Sequence, residues 1–154
     1  MNEPDDHRQR RDRETHSPGK AAIFMMINDP AVVHELAELY PRYESALVNN
    51  DVDALIGMFW ASPHTIRFGA TENLYGLEEI NAFRKGRSPV NLARTIDRLD
   101  IATFGHDFGE ISLEFSRPTG TGTVRGRQSQ TWVRFPEGWR IVAAHISLLA
   151  GAAS

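Results

Sequence analysis

The run Arg125 to Leu149, RGRQSQTWVRFPEGWRIVAAHISLL, constrains the fold more than any other stretch. Two β-rich segments flank Pro136-Glu137-Gly138. Proline presets φ there, and glycine accepts the backbone that closes a tight loop, so the run predicts a hairpin. Side chains alternate along a strand. Gln128, Gln130 and Trp132 therefore share one face of the first arm. Trp139, Ile141, Ala143, His145 and Ser147 share one face of the second. Two glutamines near a tryptophan, with a His-x-Ser pair across the hairpin, are too polar for a plain core. Such a face either lines a small polar pocket or meets water.

Upstream, Asn28-Asp29-Pro30 reads as a helix start, with Asp29 as cap and Pro30 in the first turn. Val32, Val33, Leu36, Leu39, Tyr40, Tyr43, Ala46 and Leu47 follow at helical spacing, which predicts one long helix over 30–48. Pro41 inside it deletes a backbone hydrogen bond and predicts a bend near Tyr40. Asp51 caps a short second helix through Phe59, and 62–69 reads as a short strand. Ala70 to Gly76 reads as turns. Leu77 to Arg87 reads as a third helix, with Glu78 and Glu79 at its positive end. From Thr95 the pattern is β, with a hairpin of 95–104 and 108–117. Helices gathered ahead of a meander predict an α+β fold with the helices on one face. A sheet curved around the long helix makes a cone with a pocket at its mouth. A flat open-faced sandwich is the alternative.

A chain of 154 residues suits one domain, with a body over 26–150. Residues 1 to 25 are charged and nearly free of apolar side chains before Ala21, which predicts a disordered and dispensable extension. A start at Met25 or Met26 fits the same pattern. The net charge of -3 leaves no footprint for nucleic acid. No apolar run is long enough to span a membrane. The chain has no cysteine, which removes disulfides and thiolate chemistry and fits a reducing cytoplasm. Neither a phosphate loop nor a G-x-S-x-G elbow occurs.

The runs INDPAVVHELAELYPRYESALVNNDVDALIGMFW, TIRFGATENLYG, AFRKGR, LARTIDR and RGRQSQTWVRFPEGWRIVAAHISL resemble the AtzH-like family. That family includes the HpxZ-type proteins of oxalurate catabolism and belongs to the SnoaL-like, nuclear-transport-factor-like superfamily. The likeness covers Met26 to about Leu149. It implies a cystatin-like, cone-shaped roll, with a long bent N-terminal helix and two further helices packed on a curved antiparallel sheet. It implies a homodimer. It also implies a cofactor-free hydrolase of small carboxylated ureas or amides in triazine or purine nitrogen catabolism. The characterised activity of the family is decarboxylating hydrolysis of dicarboxyurea to allophanate. The residues tied to that activity fall on Tyr43, in PRYESAL, and on Arg67, in TIRFG.

Arg67 sits mid-strand between Ile66 and Phe68, where a structural residue is usually apolar. Its guanidinium suits a carboxylate held by two parallel hydrogen bonds. The competing reading is a buried ion pair with Glu44 or Glu114. Tyr43 shares the apolar stripe of the first helix and reads as core, yet its phenol needs a partner. Near an arginine it can protonate a leaving nitrogen. His145 is a general base or a strand histidine bonded to Ser147 or Gln130. Gln128, Gln130 and Trp132 orient a urea group or face solvent. Asn73 closes the pocket from a loop or serves turn chemistry alone. Two functions stay open: a metal-free amidohydrolase, and a non-catalytic ligand-binding or assembly protein beside an amidohydrolase. A second copy of the chain is the expected partner, because Trp132, Val133 and Trp139 offer more apolar surface than one helix covers.

Overall fold

The computed structural model describes residues 24–90 and 92–151, so nearly all of the extension expected at 1–25 falls outside the described residues. The first helix, α1 (Pro30–Val48), starts where Asp29 accepts a hydrogen bond from the Ala31 amide at 3.0 Å. Val32, Leu36, Tyr40, Tyr43 and Leu47 recur every three or four residues and are all buried. The helix thus turns one apolar stripe to the core. Pro41 lies on the exposed side, where the carbonyl it leaves without a partner can bond water, so α1 runs through it.

Asp51 caps the short α2 (Val52–Gly57) by accepting from the Ala54 amide. Next, β1 (Ile66–Phe68) and β2 (Asn73–Tyr75) pair antiparallel, so the segment expected as turns contains a strand. Helix α3 (Gly76–Gly86) starts at Gly76, which takes φ +84° against the backbone of Pro63 and so favours glycine. The meander follows as β3 (Thr95–Phe104), β4 (Phe108–Thr119), β5 (Gly122–Phe135) and β6 (Gly138–Leu148). Six strands form one sheet in the order β2-β1-β6-β5-β4-β3. The meander is antiparallel, but β1 lies parallel to β6, so the curved sheet is mixed. Among the described residues no helix is long and apolar enough to cross a membrane.

The pairing of β5 with β6 positions the site. Trp132 faces Ile141, but Thr131 faces Ala143. Val142 is therefore the extra residue of a β-bulge, and it shifts the phase of β6 by one. Before the bulge Trp139 and Ile141 point into the core, and after it Ala144 does. Ala144, Ile146 and Leu148 stand opposite Gln130, Gln128 and Gly126. An unbroken two-residue count puts His145 and Ser147 on the glutamine face. The bulge turns them to the other. His145 is exposed, and its ring meets Phe68 edge-on with centroids 5.9 Å apart.

The inner face of β4 to β6 packs Ile111, Leu113, Phe115, Trp132, Trp139 and Ile141 against α1, α2 and α3. Gly126 is part of that fit, because a β-carbon there would run into the Phe115 ring. Trp132 is 0% exposed and Trp139 is buried. Both tryptophans expected to draw in a second copy thus serve the core of a single chain. The hairpin register explains it: Trp132 stands opposite Ile141 and Arg134 opposite Trp139, so both indoles fall on the inner face before the bulge is reached.

Candidate anion-binding site

Arg67 reaches the inner face because β1 is registered on β6 beyond the bulge, with Arg67 beside the small Ala144. It is 2% exposed. Its Nη1 donates to Glu72 Oε1 at 2.7 Å, and its guanidinium lies over the Phe83 ring, 5.1 Å from the centroid. Its Nε has no hydrogen-bond partner among the described residues. The ion pair expected with Glu44 or Glu114 is made instead with Glu72, from the β1–β2 turn. Gly69 allows this, because a β-carbon there would collide with the Glu72 carboxylate. Burial pushes the Glu72 carboxyl up, but hydrogen bonds from Arg67 and Thr71 outweigh it and hold the group below the usual range. The stability this pair contributes is complete above the unfolded carboxylate value. It is lost as pH falls through the lowered one.

Arg67, Arg87, Arg94 and Arg117 line one cavity of about 340 Å³, with Glu72 the one carboxylate in its wall among the described residues. Leu47, Phe83, Leu92, Phe115 and Ile146 supply apolar wall. A cavity of this size suits a small organic ligand. Arg94 is already neutralised. Its Nε and Nη2 take the two Glu44 oxygens at 2.8 Å each, and its guanidinium stacks on Phe115 at 4.5 Å. Burial pulls Arg94 down, but the Glu44 bonds and Tyr40 outweigh it and hold the guanidinium above its ordinary value. Tyr40 donates to Glu44 at 2.9 Å, and burial pushes its phenol far up. Arg87 and Arg117 form no ion pair among the described residues. Burial, then the charge of Arg67, lower Arg87.

Behind these lies Arg84, on α3 and 1% exposed. Its Nη2 donates to the Tyr43 hydroxyl at 3.4 Å, while its Nε and Nη1 have no partner among the described residues. Burial, opposed by Tyr43 and reinforced by Arg67 and Arg87, lowers Arg84 to about 10, so it stays charged at neutral pH. Tyr43 is 1% exposed. It is not among the side chains that line the cavity. Its own O–H finds no acceptor among the described residues.

The remaining expected residues stand elsewhere. Gln128 is buried and committed at both ends: Nε2 donates to Tyr40 at 3.2 Å and Oε1 accepts from Arg94 at 2.9 Å. It braces Arg94 rather than lining the cavity. Gln130 accepts from Trp132 Nε1 at 3.1 Å, and both are 0% exposed, away from the cavity wall. Asn73 is exposed on the edge strand β2, opposite Phe68, so it does not close the pocket. His145 is on the outer face, turned there by the bulge. Sequence reasoning missed Glu72, Arg84, Arg87, Arg94 and Arg117. For Arg84 a signal existed: it falls four residues after Ile80 on the buried stripe of α3. Glu72 meets Arg67 locally, across the β1–β2 turn, while Arg87, Arg94 and Arg117 come together only through tertiary contacts.

A family model described as AtzH-like matches residues 25–152. No curated protein matches the chain. Among solved structures, a protein of unknown function from Pectobacterium atrosepticum is 48% identical, covering 80% of this chain and 95% of its own, with a TM-score of 0.77. A cystatin-like fold protein from Burkholderia xenovorans is 41% identical, covering 84% of this chain and 100% of its own, with a TM-score of 0.76. A nuclear transport factor 2-like superfamily protein from Salmonella enterica, 24% identical over 80% of this chain and 95% of its own, shares the fold with a TM-score of 0.65.

Proposed function

This chain belongs to the AtzH-like family, and from that premise we propose that it is a cofactor-free amidohydrolase acting on a small carboxylated urea or amide, with loss of carbon dioxide. One observation carries the reading: four arginines line a single small cavity against one lining carboxylate. A ligand carboxylate takes the place of Glu72 on Arg67, and a second anionic group meets Arg87 and Arg117. Tyr43 supplies the proton. Its O–H is uncommitted among the described residues, whereas that of Tyr40 is spent on Glu44. In the step, written for dicarboxyurea, the bond between the carboxylate carbon and nitrogen breaks and its electron pair stays on nitrogen. That nitrogen takes the Tyr43 proton, and carbon dioxide leaves. Water then restores the phenol.

The test is incubation of the purified protein with dicarboxyurea, following carbon dioxide. Turnover is expected, and inertness toward dicarboxyurea overturns the reading. A second reading, anion binding without turnover, is supported by Tyr43 lying outside the cavity lining. Binding of dicarboxyurea without turnover, with an amidase co-purifying, would favour it. We also infer a homodimer from the family likeness, and light scattering at micromolar concentration should give twice the chain mass.

Glu72 has a part in either reading, because its carboxylate already occupies Arg67 as a ligand would. In Glu72→Gln the amide competes weakly for the guanidinium. Charge-assisted hydrogen bonds contribute about 1.5–3 kcal/mol, and ~1.4 kcal/mol is tenfold in affinity. Oxalurate should therefore bind about tenfold tighter, read by calorimetry. Unchanged affinity would show that ligands seat away from Arg67.

A further inference from the structure

Arg84 has no part yet in this reading. It is a cation on the core stripe of α3, one turn past the fully buried Ile80. A buried charge without a carboxylate partner is costly, and an apolar side chain of similar volume usually serves stability better. The one side-chain hydrogen bond it makes among the described residues goes to Tyr43, at 3.4 Å, which is long. Two of its nitrogens, Nε and Nη1, have no partner among the described residues.

We propose that Arg84 is the positioning residue that aims the Tyr43 phenol and balances the phenolate left when Tyr43 releases its proton. The inference rests on the proposed function, in which Tyr43 is the proton donor. A phenol oxygen makes a weak, long bond to a guanidinium. A phenolate accepts more bonds, and shorter ones. The contact therefore strengthens as charge develops on the oxygen, which is the property that speeds a step rather than tightening binding alone. The surroundings agree. Tyr40 is the neighbour on the same helix, with ring centroids 5.8 Å apart, and its proton goes to Glu44. The charges of Arg87 and Arg94 act on Tyr43 from the segments beside α3 and β3, and Arg67 acts on Arg84 from β1. Glu44 is taken by Arg94 and Glu72 by Arg67. Arg84 keeps its own protons throughout; the Tyr43 proton goes to the leaving nitrogen and water replaces it.

The experiment uses Arg84→Met and Arg84→Lys, each in the wild-type and the Tyr43→Phe backgrounds, with dicarboxyurea as probe. Removing one preorganised donor from a developing oxyanion lowers kcat by about a hundredfold. That loss is expected in Arg84→Met, with KM nearly unchanged and with most of kcat recovered in Arg84→Lys. In the Tyr43→Phe background, Arg84→Met should add no further loss, because Arg84 acts through the phenol. Thermal unfolding of Arg84→Met should match or exceed that of wild type. Equal losses in both backgrounds, or a lower unfolding midpoint with kcat intact, would make Arg84 structural and overturn the inference. If Tyr43→Phe itself keeps full turnover, the proposed function fails. The inference then falls with it, since no phenolate forms for Arg84 to balance.

Discussion

Tyr43→Phe should fold like wild type and lose about 10²–10⁴ of its kcat on dicarboxyurea, the span of general acid catalysis. The substitution removes one oxygen and little volume. Tyr43 is 1% exposed within the α1 stripe, and phenylalanine fills the same space. The only described bond lost is the 3.4 Å contact from Arg84, so the cost in stability is small. Because Tyr43 does not line the cavity, ligand affinity should barely change. A fall in kcat with KM held is the mark of an interaction made in the transition state. It also requires a side chain in the wall to move aside for the proton to pass. Steady-state kinetics with a thermal melt check both. Wild-type kcat in Tyr43→Phe would remove the phenol from the chemistry and leave the binding reading.

Arg67→Lys should weaken binding of oxalurate or dicarboxyurea by about ten- to a hundredfold. Lysine keeps the charge but loses the planar fork and the stacking surface. Here the fork is in use. Nη1 holds Glu72, Nε is open, and the plane lies over Phe83 at 5.1 Å. Losing one charge-assisted hydrogen bond costs about 1.5–3 kcal/mol, and ~1.4 kcal/mol is tenfold. Stability should fall only modestly, because an ammonium can still meet Glu72 in the same turn. Calorimetric titration of both proteins reads the effect. A lower melting point with affinity unchanged would make Arg67 a structural partner of Glu72 and nothing more.

What could be read in advance was local. The caps at Asp29 and Asp51, the stripe of α1 and both hairpins rest on neighbours a few residues apart, and they stand where the pattern puts them. The bulge at Val142 was not legible. Its run of small and apolar residues shows no break, yet one extra residue moves His145 out and Ala144 in. That single shift explains why the polar face drawn from the hairpin does not form. The glutamines do face inward, but their partners lie far along the chain. Gln128 is spent on Tyr40 and Arg94, and Gln130 on Trp132. The arginines of the cavity come from β1, from the two ends of the α3–β3 link and from β4, and no spacing announces that they meet. Arg84 is the exception, since a cation on an apolar stripe is visible in the sequence itself.

The claim that a small carboxylated ligand sits among these arginines is tested most directly by the structure with oxalurate bound. Its carboxylate is expected within hydrogen-bond distance of Arg67, with the Glu72 side chain turned away and Arg87 or Arg117 on the far end of the ligand. Oxalurate bound outside this cavity, with the 2.7 Å pair between Arg67 and Glu72 unchanged, would contradict it.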